Sequence, residues 1–216
     1  FDIFRRINTG GRPLNSQEIR NSLASRALRE RLREMAHMQE FKEATGWSVK
    51  DTRMEAQEFA LRFMTFYELF NADSELKNYN GSMNVTLDSV TDKFSKYCDS
   101  ELDAFKEKFK VAMCNSSYLF GKHAFRKILV QHIEPNQRRQ LVNKALFVSW
   151  AVLLADYDTA TIKNNCKKDC LVRPLAEKIT TDEEFFRAIS WGTNGRWNLK
   201  VAFEKAQLIL QESLNL

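Results

Sequence analysis

Apolar residues recur at helical spacing along most of the chain. After Asn15 they fall at Ile19, Leu23, Leu28 and Leu32, which gives a long segment one apolar face and one polar face. Alternating strand patterns are almost absent. The pattern predicts an all-α fold, a single domain of about seven or eight helices. The predicted helices after the opening segment are Asn15 to about Gly46, Met54–Phe70, Leu87–Met113, Asn136–Asp156, a short one near Thr159–Lys168, Asp182–Trp191 and Trp197–Leu214.

Few residues along the chain interrupt helices. The 216 residues include only seven Gly and three Pro, and this scarcity favours long helices over a β fold rich in turns. No apolar run approaches the roughly 20 residues of a membrane span. Because the chain begins at Phe1, without Met and in the middle of a pattern, we expect a fragment of a longer protein. We treat residues 1–216 as one helical domain.

The cysteines and histidines predict no metal site. Four Cys show no framework spacing, although Cys166 and Cys170 are four apart and would share one face of a helix. Free thiols in a reducing cytosol are the simplest interpretation, and a cytoplasmic protein is expected. Three isolated His complete no zinc pattern. The sixteen Phe and four Trp are expected mainly in the core rather than stacked on bases or a cofactor.

Positive charge is concentrated in two stretches. Residues 1–50 carry ten Lys and Arg against six Asp and Glu, and residues 122–144 carry six against one. The acidic stretch between them, residues 51–121, carries eight against twelve. Localised contact with a nucleotide or nucleic acid would explain this distribution. Arg126, Arg138 and Arg139 are therefore possible DNA contacts, with a surface or interhelical role as the alternative.

The stretch FRRINTGGRPLNSQEIRNSL, from Phe4 to Leu23, contains helix-ending and helix-starting signals side by side. Gly10 and Gly11 suit a helix C-terminus, where positive φ is needed. Pro13 prevents the helix from continuing. Asn15 suits an N-cap, and Glu18 is placed three residues later to complete a capping box. A new helix is thus predicted to begin directly after the Gly-Gly turn.

This turn has the chemistry of a phosphate site. Glycines let a ligand approach the backbone, and the N-terminus of the next helix presents unpaired N–H groups to an anion. Neighbouring arginines suit bidentate phosphate contacts, and the amide of Asn8 offers an oxygen to a hydrated Mg²⁺. The alternative is an ordinary helix–helix connection, which uses the same residue types. No Walker A, GxGxxG, GxSxG, HExxH or paired CxxC motif is present.

The same stretch resembles the second conserved block of the GmrSD-type family of modification-dependent restriction proteins and their phage-defence relatives. That block reads Phe-x-x-x-Asn, a Thr-Gly-Gly loop, a Leu and a Gln-Glu-Ile-Arg-Asn helix start. The matching positions here are Phe4, Asn8, Thr9, Gly10, Gly11, Leu14, Gln17, Glu18, Ile19, Arg20 and Asn21. ALRFMTFYELF, YNGSMNVTLDSVTDKF, LFGKHAFR and RRQLVNKALFVSWAVLLA are similar to later family blocks in the same order.

The resemblance implies that the chain is the helical C-terminal part of a larger α/β domain like that of ParB and sulfiredoxin. The family's Asp-Gly-Gln-Gln-Arg motif, associated with nucleotide binding and hydrolysis, lies upstream of this block and is not in this sequence. No HNH-like nuclease pattern follows either. The chain alone is therefore expected to be catalytically incomplete, with residues 1–23 forming a nucleotide-site block and residues 24–216 a helical bundle.

The resemblance also implies roles for individual residues around an NTP bound with Mg²⁺. Asn8 would contact a phosphate or the metal, and Arg20 a phosphate or the upstream loop. Thr9, Gly10 and Gly11 would add backbone and hydroxyl contacts. Supporting positions are Phe4, Glu18 and Asn21. The implied function is an NTP-dependent, DNA-targeting defence protein, with DNA, nucleotide and a nuclease domain or other protein as partners.

Two other functions are open at this point. The chain would also suit a non-enzymatic helical module that binds DNA or a protein partner, given the basic stretch at residues 122–144 and the absence of complete catalytic machinery. A scaffold that only supports an upstream fold is the third alternative.

Overall fold

The computed structural model describes residues 13–134 and 137–213, and this part of the chain is built from helices without a strand. An isolated bridge between Arg126 and Val142 is its only β pairing. The all-α prediction is confirmed. The helices are α1 Ser16–Leu23, α2 Arg26–His37, α3 Gln39–Thr45, α4 Glu55–Ala72, α5 Met83–Phe94, α6 Asp99–Phe120, α7 Lys144–Leu154, α8 Thr159–Asn165, α9 Val172–Thr181, α10 Glu183–Ala188 and α11 Arg196–Ser213.

The centre of the molecule is formed by α4, α6 and α7. α6 packs on α7 and on α3, and α4 contacts α2 and α7. Phe147 of α7 meets Phe59 of α4 edge to face, with ring centroids 4.7 Å apart, and Phe63 meets Phe109 of α6 at 5.1 Å. α9, α10 and α11 pack together, and α11 lies on α7. Buried apolar side chains from α2 through α11 form one continuous cluster.

The described chain has eleven helices rather than seven or eight, because several predicted helices are divided. The helix expected from Asn15 to Gly46 is three helices. Ser25 caps the second of them by accepting a hydrogen bond from the Leu28 N–H, and Met38 separates the second from the third. Apolar spacing continued across both breaks, so periodicity alone did not reveal them.

Other boundaries move for local reasons. α6 runs on to Phe120 and ends at Gly121, beyond its predicted end at Met113. α7 begins only after Asn143, whose side-chain oxygen accepts from two helix N–H groups. α9 was not predicted at all. Its Pro174 lies in the first turn, where a missing N–H leaves no helical hydrogen bond unmade.

The aromatic prediction is right for phenylalanine and wrong for tryptophan. No Phe within the described residues is exposed. Of the tryptophans only Trp150 is buried, whereas Trp47, Trp191 and Trp197 are 60 to 65% exposed. All four Cys are free thiols, and Cys166 and Cys170 follow α8 rather than sharing a helix. Across the described ranges, no single helix has both the length and the apolar character of a membrane span.

Candidate functional site

The site predicted between Phe4 and Asn21 is only partly described, because the described chain starts at residue 13. Phe4, Asn8, Thr9, Gly10 and Gly11, together with the helix predicted to end at the glycines, lie outside the described residues. The helix start that follows them, Asn15 with α1, is described.

The first helix begins with the predicted capping box. The Asn15 side-chain oxygen accepts from the Glu18 N–H at 2.8 Å, and the Glu18 carboxylate accepts from the Asn15 N–H at 2.7 Å. Two of the N–H groups at the N-terminus of α1 are therefore satisfied by the protein itself. Glu18 therefore has a structural role here, as expected if the turn is an ordinary helix–helix connection.

A turn from a distant part of the chain fixes this helix start. Arg53 pairs with the Glu18 carboxylate at 2.6 Å and donates to the carbonyl of Pro13. In return the Asn15 amide donates to the Arg53 carbonyl at 2.9 Å. Arg53 and Met54 both lie in the left-handed region, with φ of 56° and 61°. This turn therefore anchors the start of α1.

A cavity of about 360 Å³ opens at this helix start. It is lined by Asn15, Ser16, Gln17, Thr52, Arg53, Glu55, Glu58, Asn84 and Lys144. These residues come from α1, the turn before α4, the first turn of α4, and the starts of α5 and α7. Because these segments lie far apart in the sequence, the cavity itself was not predicted.

Two cations, Arg53 and Lys144, and two carboxylates, Glu55 and Glu58, line this cavity. Lys144 Nζ lies 3.1 Å from Glu58 Oε1, and Arg62 Nε reaches the same oxygen at 2.9 Å. Burial raises the pKa of Glu58, but the charges of Arg62 and Lys144 outweigh it and leave this pKa below its usual value. Glu58 is thus an ionised, firmly held carboxylate. Glu55 also lines the cavity and has no ion-pair partner among the described residues.

Arg20 is not exposed to a ligand. Its side chain is 1% exposed, and its guanidinium donates to Asp88 at 2.8 Å and to the Asn84 side-chain oxygen at 2.7 Å. A third donor reaches Gln17 at 3.2 Å. Burial lowers the pKa of Arg20 and the hydrogen bond and charge of Asp88 oppose that shift. Arg20 therefore positions Gln17 and Asn84 at the cavity wall.

Arg126 does not have the exposure that a DNA contact needs. It is fully buried, and it donates to the carbonyls of Lys122, Gln140 and Thr45. Burial, and then the charge of Arg139, lowers the pKa of Arg126 to about 10. Arg126 therefore connects separate segments of the fold, which is the interhelical role considered from the sequence as the alternative to a DNA contact.

Arg138 and Arg139 lie on the surface. Arg139 donates to the carbonyl of Gly46 at 2.8 Å. Gly46 has a φ of +59°, and a Cβ there would lie 2.1 Å from Arg139 Nη1, so this contact depends on the glycine that ends α3. The DNA-contact prediction for Arg138 and Arg139 stays a prediction.

No family model, curated protein or solved structure matches the chain. The GmrSD-type resemblance is therefore carried by the quoted residues alone. Among the described residues, no three His, Cys, Asp or Glu side chains come together as a metal site.

Proposed function

We propose that this chain is the C-terminal helical part of a nucleotide-dependent, DNA-targeting restriction or phage-defence protein of the GmrSD type. Residues 8–11 and the cavity at the start of α1 together hold the phosphates of a nucleoside triphosphate. One observation carries this proposal: the cavity begins at Asn15, four residues after Gly11, which is the last residue of the Asn-Thr-Gly-Gly segment.

The cavity residues suit the phosphates of a nucleotide bound with Mg²⁺. Arg53 and Lys144, which pair with Glu18 and Glu58 in this structure, are the lining cations that would contact phosphate oxygens. Mg²⁺ would neutralise charge on those oxygens, and the Glu55 carboxylate and Asn8 amide are the oxygen ligands that hydrated Mg²⁺ accepts. Hydrolysis is assigned to the upstream loop that the resemblance implies.

Asn8→Ala in the full-length protein tests the nucleotide site. We expect its affinity for ATP or GTP with Mg²⁺, measured by isothermal titration calorimetry, to fall about tenfold or more, because a hydrogen bond to a charged group contributes about 1.5–3 kcal/mol. Asn78→Ala is the matched control, since Asn78 is exposed and does not line the cavity. Unchanged affinity and hydrolysis in Asn8→Ala would contradict the role of Asn8.

Lys144→Gln tests the described wall of the same cavity. Its loss of charge is expected to weaken nucleotide binding while circular dichroism still reports a folded helical protein. Normal binding by this variant would remove Lys144, and with it the α7 side of the cavity, from the site.

A non-enzymatic helical module that binds DNA or a protein partner is the second candidate. The exposed Arg138 and Arg139 favour it. It predicts DNA binding that weakens with salt, together with no affinity of the full-length protein for nucleotides.

A further inference from the structure

A second cavity, of about 400 Å³, lies beside α1 and α2. It is lined by Asn21, Arg26, Arg29, Glu30, Arg33, Met54 and Gln57. The three arginines are three and four residues apart, so they share one face of α2. The cavity is therefore lined by three guanidinium groups and one carboxylate, that of Glu30. We call Arg26, Arg29 and Arg33 the arginine face.

The arginines of α2 differ in their partners. Arg31 points to another side, where its Nε is 2.7 Å from Asp103 and a second nitrogen is 3.3 Å from Glu34. Arg26 pairs with Glu30 at 2.8 Å. Arg29 and Arg33 form no ion pair with any described residue. Like charges four residues apart destabilise a helix by a few tenths of a kcal/mol, and an anion in the cavity would reverse that effect.

The amide of Asn21 adds an independent observation at the same cavity. Its side-chain oxygen is buried without a hydrogen-bond partner, and its nitrogen has none among the described residues either. A buried polar atom left unpaired costs about 1–3 kcal/mol. The Asn21 nitrogen, which has no partner among the described residues, is an unused donor for a ligand in this cavity.

We propose that the arginine face binds the phosphodiester backbone of DNA, with Arg29 and Arg33 each contacting a phosphate and Asn21 donating beside them. This inference rests on the proposed function, which makes DNA a partner of the full-length protein. It adds the surface of α2 as a DNA contact, whereas Arg126, one of the three possible contacts considered from the sequence, is buried.

The dimensions suit a strand of DNA. Seven residues separate Arg26 from Arg33, which corresponds to about 10 Å along a helix. One strand of the duplex advances by about 3.4 Å per nucleotide, so the face spans roughly three nucleotides. Guanidinium groups bind phosphate oxygens in a bidentate manner, and such contacts position DNA without reading its sequence.

The double variant Arg29→Gln/Arg33→Gln tests this inference. Binding of the full-length protein to a fluorescent duplex is measured by anisotropy across a series of salt concentrations. We expect the slope of log affinity against log salt to fall in magnitude by about 2, since each phosphate contact contributes about 0.9. At about 50 mM salt the affinity is expected to fall about tenfold or more. The matched control is Arg173→Gln/Arg187→Gln, which removes equal charge from two arginines that are 70% exposed.

Nucleotide binding by the same variants separates this inference from the proposed function. Weaker DNA binding with a smaller slope and unchanged affinity for ATP with Mg²⁺ supports the arginine face as a DNA contact. An unchanged slope, or a change equal to that of the control pair, overturns it. Loss of ATP affinity with normal DNA binding also overturns it, by assigning the cavity to a nucleotide phosphate. Loss of ATP affinity in Asn8→Ala concerns only the proposed function.

Discussion

At the scale of single residues, a strained turn shapes the candidate site. Arg53 and Met54 adopt left-handed backbone conformations, which cost roughly 1–2 kcal/mol per residue without glycine. Contacts with Glu18, Pro13 and Asn15 hold Arg53 in place. Since those partners are more than 30 residues away along the chain, no local pattern around Arg53 predicted the turn. The Asn15 and Glu18 cap was predicted because both partners lie within four residues.

Replacing Asn15 tests how strongly this anchor is held. Asn15→Ala removes the cap and the hydrogen bond to the Arg53 carbonyl, and we expect the free energy of unfolding to fall by about 1–2 kcal/mol. Urea denaturation measures the change. Asn15→Ser keeps a capping oxygen but loses the amide donor, so its loss should be smaller. Equal stabilities of Asn15→Ala and Asn78→Ala would show that the anchor contributes nothing.

At the scale of helices, buried polar side chains fix connections that apolar periodicity does not specify. Arg126 joins the end of α3 to the segment before α7 through the carbonyls of Thr45 and Gln140. Asn115 of α6 donates to the carbonyls of Leu154 and Tyr157. The burial of α4 was predictable because the helix is apolar around most of its circumference, and that of α11 because its apolar residues recur at helical spacing. An interhelical role for Arg126 was considered from the sequence, but its carbonyl partners at Thr45 and Gln140 were not predicted, because they lie in distant segments.

Arg126→Met tests this connection. It leaves the buried carbonyl oxygens of Thr45 and Gln140 without their donor, and we expect a loss of about 2–4 kcal/mol in the free energy of unfolding. Differential scanning calorimetry or urea denaturation measures it. Arg138→Met, on the surface, should change stability by less than about 0.5 kcal/mol. Similar values for the two variants would contradict the interhelical role of Arg126.

At the scale of the whole molecule, the two cavities lie along one helix. Asn15 and Gln17 line the first cavity and Asn21 lines the second. Eight residues of α1 extend over about 12 Å. The proposals therefore place nucleotide phosphates and DNA phosphates at opposite ends of α1, close enough for one short helix to link them. From the sequence, a phosphate site was predicted at residues 8–11 and Arg20; neither cavity was predicted, because each is lined by several separate segments of the chain.

The stability of the whole molecule should depend on pH through His123. Burial, followed by the charge of Lys122, lowers the pKa of His123 from 6.5. The unfolded chain therefore binds a proton near pH 6.5 that the folded chain does not, and stability falls as the pH drops below that value. Urea denaturation between about pH 7.5 and about pH 5.5 measures this loss, and His123→Gln should reduce it. Parallel curves for the two proteins would contradict the assignment.

Hydrogen exchange with and without nucleotide tests the central claim most directly. In the full-length protein, ATP with Mg²⁺ should slow amide exchange at residues 8–20 and 52–58, because the proposal places the nucleotide between residues 8–11 and the cavity at the start of α1. Mass spectrometry of the peptides covering these ranges measures the protection. Protection that is absent from both ranges, or that occurs only elsewhere in the chain, would contradict the nucleotide site.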